Sequence, residues 1–176
     1  MHDQVLTPWT ARRWRFDFPA ELHPAVIERL RGTPSRAAEA VEDLPEGQLR
    51  DTSRHSYSIK RHIGHLGDLE ALLNARLDAY ERREHILPAA DMMNGVTQNA
   101  PHDDTPIADQ LAELRTSRAA TLVRLDAYDP DFFGRSAWHE RLGVQKRVVD
   151  TCVFFADHDD HHLALIRMIR KSLGDQ

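Results

Sequence analysis

Between Lys146 and Leu173 apolar side chains recur at helical spacing, and two histidines, His158 and His162, fall on the same side as Phe155, Ile166 and Ile169. Imidazoles on an apolar face constrain a fold more tightly than hydrophobic residues do, because each ring carries two nitrogens that need partners once buried. At i and i+4 the two rings are only about 40° apart around a helix. They can therefore aim at one point, the spacing by which a helix holds a transition metal. A single histidine beside an apolar stripe is ordinarily a hydrogen-bonded or partly exposed residue. The pair favours a shared ion, which satisfies one nitrogen on each ring.

The rest of the chain is read in the same helical phase. Ser58 is a good N-cap for a helix carrying Ile59, Ile63, Leu66, Leu69, Leu73, Leu77 and Tyr80, expected to end near Arg83. Thr105-Pro106 reads as a cap and first helical position for a third helix through Ile107, Leu111, Leu114, Leu122 and Leu125. Thr33-Pro34 reads the same way, opening a helix through Ala37, Ala38, Val41 and Leu44, with Pro24 to Leu30 as a separate shorter piece before Gly32. Strand alternation is not evident anywhere. The expectation is an all-α fold, a four-helix bundle forming one domain over residues 1–176, with an N-terminal extension over 1–21 and the bundle over about 22–173. The segments 45–57, 84–104 and 130–145 are long connections of the kind that form lids or binding walls.

Composition narrows the function classes. With 23 basic against 28 acidic residues the net charge is -5, which argues against nucleic acid or an anionic membrane as partner. The start Met1-His2-Asp3-Gln4 lacks a basic region followed by an apolar core, and no apolar run is long enough to span a bilayer. The expected location is the cytoplasm. One cysteine, Cys152, rules out an internal disulfide, and it points away from the histidine pair, as a buried core residue would.

The compositional outlier is histidine, with 11 residues. His62 and His65 both flank the apolar stripe of the Ser58 helix, and either could meet His158 and His162 across a bundle core. Spacing alone does not choose between them. Asp68, Glu70, Asp157, Asp159 and Asp160 are candidates to orient the imidazoles, since a metal-bound histidine usually donates its other ring N–H to an outer acceptor. Asp159 and Asp160 are better read as a solvated helix face. Asp68, one turn after His65, is the best candidate for an outer acceptor or general base. Asn94 and His139 lie on long connections that can reach the open side of such a site. Arg167 and Arg170 are expected at the C-terminal end of their own helix. Trp9, Trp14, Phe16 and Phe18 would either cover the bundle or pack on a partner.

The segment from Tyr57 to Glu70, YSIKRHIGHLGDLE, resembles the WSxxExxxHLxDxE helix of the DinB family, the DinB/YfiT-like metal-binding bundles. HDDHHLALI, from His158 to Ile166, is similar to the family's HxxxHHxxxI pattern. The segments Glu28 to Pro34 and Ala90 to Asn94 also resemble members, so the likeness covers most of residues 22–172. Two departures stand out. Tyr57 replaces the usual Trp, and Arg61 replaces the Glu that would complete a capping box with Ser58.

The resemblance implies a four-helix bundle of the DinB/YfiT-like type holding one divalent transition metal, zinc or nickel first, manganese or iron next. The implied ligands are His65, His158 and His162, leaving His62 as a neighbour and His161 as an outer or surface residue. Such an ion, with coordination positions open, would ionise a bound water or thiol more readily. Relatives include S-transferases and isomerases that use low-molecular-weight thiols such as bacillithiol or mycothiol, and proteins described as metal-dependent hydrolases. The expectation is a metal-dependent, thiol transferase-like detoxification or stress protein acting on a small molecule, as a homodimer. A hydrolase, or a metal-stabilised binding bundle without turnover, are the alternatives.

Overall fold

In the computed structural model, which describes residues 6–53 and 55–174, four long helical stretches form the body. The start Met1-His2-Asp3-Gln4 lies outside the described residues. Helix α1 (His23–Val41) is followed by a short α2 (Glu46–Leu49), then by α3 (Ile59–Asp68) and α4 (Glu70–Glu81), a short α5 (Gly95–Asn99), α6 (Ile107–Ala127) and α7 (Val148–Gly174). Helix α1 packs on α6 and α7, and α3 packs on the same two, so the four close into a bundle. Among the described residues, no helix is long and apolar enough to cross a membrane.

The elements depart from the sequence expectation in instructive ways. Helix α1 is continuous through Gly32-Thr33-Pro34 rather than split before Thr33. Pro34 has no N–H to give to the carbonyl of Leu30, four residues back. That oxygen instead accepts from Arg118 Nη1 at 2.8 Å, a bond supplied by α6. The Ser58 helix, expected as one piece, breaks at Leu69 into α3 and α4. Its start keeps the Ser58 cap, the hydroxyl accepting from Arg61 N at 3.0 Å. With Arg61 in place of Glu, the missing carboxylate comes from Asp103 of the 84–104 connection, which accepts from Ser58 Oγ and pairs with Arg61 at 2.9 Å. Thr105 does not cap α6. Pro106 flanks the helix, and the threonine hydroxyl bonds the Pro101 carbonyl.

The absence of strands is also corrected. Within 130–145 and the residues that follow lies a two-stranded antiparallel hairpin, β1 (Ser136–His139) and β2 (Val144–Arg147), turning at Gly143 with φ +63°. Four-residue strands composed of Ser, Ala, Trp, His, Val, Gln, Lys and Arg carry too little alternation to be read from sequence. Tertiary packing holds them: Ala137, His139 and Lys146 turn inward, and the chain beyond α4 bonds β1 through Trp138 N to His85 O and Leu87 N to Trp138 O. Helix α7 then starts at Val148, its first turn closed by Asp150, which accepts from Arg147 N at 3.0 Å.

The core is two apolar clusters. One gathers Leu30, Leu73, Leu77, Leu122, Phe133 and Phe155; the other gathers Ala37, Ile63, Leu66, Leu114, Leu163 and Ile166. Along each helix the residues between them are polar and buried: Thr33, Glu70, Arg118, Thr121 and Asp159. Arg118, 1 % exposed, pairs with Glu70 at 2.6 Å and Asp159 at 2.8 Å. Thr121 donates to Glu70 and Thr33 to Asp159. Asp159 is thus buried and paired, contrary to the solvated face expected of it. Asp160 is half-buried and bonded to Arg29 and Arg36, with Asp157 also held by Arg29. Arg167 and Arg170 reach α1 rather than the end of α7: Arg170 donates to the Glu39 and Ala40 carbonyls in the last turn of α1.

The N-terminal aromatics cover their own bundle. Trp9, Trp14, Phe16 and Phe18 pack against the first cluster, with Trp9 and Trp14 each about 5 Å from Phe154, ring centre to ring centre. Cys152 is fully buried in that cluster, and burial pushes its thiol up to about 12.

Replacing Arg118 with Met leaves two buried carboxylates and the Leu30 carbonyl without their shared donor. A loss of about 3–5 kcal/mol in urea unfolding is expected. The triple variant Arg118→Met, Glu70→Gln, Asp159→Asn, which removes the stranded charges, should recover most of it.

Candidate metal centre

Helices α3 and α7 face each other across the bundle and bring His65, His158 and His162 together. One ring nitrogen from each lies within 4.8 Å of the others, and all three side chains are buried. His158 and His162 stand one turn apart with their Nε2 atoms separated by 3.2 Å. His65 meets both from α3, its ring centre 5.2 and 4.7 Å from theirs.

The far nitrogens fix which atoms remain for a ligand. His65 Nδ1 lies 2.8 Å from Thr97 Oγ1, whose hydroxyl donates to Asp68 Oδ2 at 2.6 Å. Because the threonine proton goes to Asp68, the threonine oxygen accepts from His65 Nδ1–H, leaving Nε2 as the free lone pair. His162 Nδ1 lies 2.8 Å from His62 Nδ1, which places His62 behind His162 rather than beside the shared point. His161 Nδ1 accepts from Arg12 Nη2 at 2.9 Å, and its ring stands edge-on to His162. His158 Nδ1 is buried without a hydrogen-bond partner among the described residues, and its ring stands perpendicular to that of Trp9, 4.8 Å centre to centre.

Asp68 therefore acts on His65 through Thr97, and it also accepts from His102 at 2.9 Å. Gly64 makes room for that contact, since a Cβ there would stand 2.2 Å from His102 Nδ1. Of the other carboxylates weighed above, none touches an imidazole of the cluster; Glu70, Asp157, Asp159 and Asp160 hold arginines instead. Thr97 and His102 carried no signal in the sequence, because the 84–104 connection, including the single short turn of α5, shows no apolar periodicity.

Burial lowers every imidazole of the cluster. His62 falls to about 3, with His65 and His161 adding to the burial effect, and His65 falls to about 4 despite the favourable field of Asp68. His158 and His162 lie well below the usual value for the same reason. The rings are neutral near pH 7, the form that ligates metal. Three neutral imidazoles whose near nitrogens converge fit a borderline first-row divalent ion.

The cluster opens onto a cavity of about 350 Å³, walled by Trp9, Tyr57, Leu69, Phe154 and Phe155 among others. Asn94 and His139 both line it, as does Arg76.

In the unfolded chain each of these histidines titrates near 6.5, so between pH 6.5 and 4 the unfolded state binds more protons. Stability of the metal-free protein should therefore be full above pH 6.5 and fall on acidification towards 4. The slope is about 1.4 kcal/mol per pH unit for each imidazole that stays neutral. Thermal melting across that range checks it, and a flat profile would contradict the neutral buried cluster.

The family model of the DinB superfamily matches residues 29–166. No curated protein matches the chain. Among solved structures, the chain is similar to YfiT from Bacillus subtilis, described as "a probable metal-dependent hydrolase with an unusual four-helix bundle topology". The two are 18 % identical with a TM-score of 0.78, over 93 % of this chain and 94 % of that one. At that identity the likeness speaks to the fold, which is the same bundle. From the match over residues 29–166, the chain belongs to the DinB superfamily.

Proposed function

We propose that this protein is a metal-dependent enzyme of the cytoplasm in which His65, His158 and His162 hold one divalent transition ion and a low-molecular-weight thiol is the nucleophile. The observation that carries this reading is the convergence of three buried imidazole nitrogens at the wall of a cavity. A divalent ion bound there supplies Lewis acidity that ionises a thiol or a water at neutral pH.

The chain's own residues prepare the site. Thr97 and Asp68 fix the tautomer and orientation of His65, and His62 fixes the orientation of His162. Trp9 and Phe154 wall off one side against water. His62 contacts the far nitrogen of His162 and not the shared point, which supports three protein ligands and an open position rather than a closed structural shell. Zinc and nickel are the first candidates, with manganese or iron next. A homodimer remains part of the proposal, with an interface other than Trp9 and Trp14, which pack inward. A water-activating hydrolase is the second reading, favoured by the description of YfiT.

Elemental analysis after chelation and reloading should give near one ion per chain, lost in His65→Ala, His158→Ala and His162→Ala. Wild-type protein that retains no specific metal would overturn the reading. Thr97→Val should keep the stoichiometry while weakening affinity about 10–100-fold. Thiol transfer and ester hydrolysis, assayed side by side on the loaded protein, then separate the two chemistries.

A further inference from the structure

Arg76 of α4 is as buried as Arg118, 1 % exposed, but its surroundings are different. Where Arg118 holds two carboxylates, Arg76 forms no ion pair among the described residues. Its Nε donates to the Pro88 carbonyl at 3.1 Å and its Nη2 to His139 Nε2 at 3.3 Å, while Nη1 is buried with no partner. The Phe155 ring lies under the guanidinium at 5.7 Å. Burial lowers the pKa of Arg76 only to about 10, so the group stays charged near pH 7.

Because the Nε2 of His139 accepts from Arg76, its proton sits on Nδ1, on the far side of the ring, and His139 serves as the neutral acceptor that orients the guanidinium. Both side chains line the cavity beside the three histidines. The acidic residue on the same wall, Asp91, is already engaged by the N–H groups of Met93 and Gly95. A buried cation without a counterion is costly, as is a buried donor without an acceptor, and one anion at Nη1 relieves both. Arg141, also on the cavity wall and forming no ion pair among the described residues, is exposed. Apart from the ion, the described residues of the enclosed wall supply one positive charge, Arg76, which matches a monoanion rather than a phosphate dianion. A planar guanidinium suits a carboxylate.

We propose that Arg76, oriented by His139, forms a carboxylate subsite, so that the substrate of the metal centre is a small organic acid with an apolar body held among Leu69, Leu72 and Phe155. This rests on the metal-enzyme reading for the identity of the ligand as substrate, but the subsite itself is built without the ion.

Calorimetric titration of the full-length chain with benzoate, both metal-loaded and after chelation, tests the subsite. Benzoate should bind in both states, with benzamide about tenfold to a hundredfold weaker, and Arg76→Met should weaken benzoate by a similar factor. Should Arg76→Met fail to fold, Arg76→Lys, which keeps the charge but loses the planar fork, is expected to bind about tenfold more weakly. Equal binding of benzamide, unchanged binding in the folded variant, or tighter binding of phenyl phosphate than of benzoate would each overturn the proposal. Loss of benzoate binding on chelation would overturn it too, by placing the carboxylate on the ion. A protein that holds no metal yet binds benzoate through Arg76 would refute the metal-enzyme reading alone.

Discussion

The ion-paired Arg118 is the interaction on which the rest of this bundle depends. One guanidinium, buried between two apolar clusters, bonds Glu70 of α4, Asp159 of α7 and the Leu30 carbonyl of α1. It therefore ties all four helical stretches at one level. The carbonyl is the one that Pro34 leaves without its helical donor, so the same side chain allows α1 to run on through a proline. Buried ion pairs are weak evidence for stability in general, because desolvation offsets their attraction. Their stronger effect is on register: Glu70 and Asp159 have one place to go, and sliding either helix strands a charge.

That register sets the metal centre. Asp159 lies between His158 and His162, and the arginine that fixes it fixes the turn that carries both imidazoles. The neighbouring positions are restrained from the other side, Asp157 and Asp160 by Arg29 and Arg36, and His161 by Arg12. The turn is thereby locked on every face before any ligand arrives. Preorganisation of this kind is what a site of neutral, poorly solvated imidazoles requires, since rings free to rotate would find other partners.

The long connections supply what the helices do not. The 84–104 segment delivers Thr97 behind His65, His102 onto Asp68 and the Pro88 carbonyl to Arg76. The hairpin at 136–147 brings His139 to the cavity. Each depends on a contact far away in sequence, such as the bond between Trp138 and the chain at His85 to Leu87. Two buried arginines thus have opposite electrostatic circumstances: Arg118 is paired with two carboxylates, while Arg76 meets none among the described residues.

The sequence by itself determined the helical class, because apolar residues at helical spacing admit few other arrangements, and it marked the His158 and His162 pair, because i and i+4 are neighbours on any helix. Through its likeness to one family it also singled out His65. It could not choose between His62 and His65 by spacing, since both flank the same stripe and only the packing of α3 on α7 sets which ring reaches the shared point. Nor could it show that Asp159 is buried, that Pro34 lies inside a helix, or that a hairpin forms in a polar connection. Each of those is decided by a partner distant along the chain: Arg118 for the aspartate and the proline, the His85 to Leu87 segment for the hairpin. Local propensity records what a residue prefers alone, while burial and pairing are properties of the assembled bundle. Arg76 stood in plain view on the apolar stripe between Leu73 and Tyr80, but only the tertiary structure decided that no carboxylate of the described residues meets it.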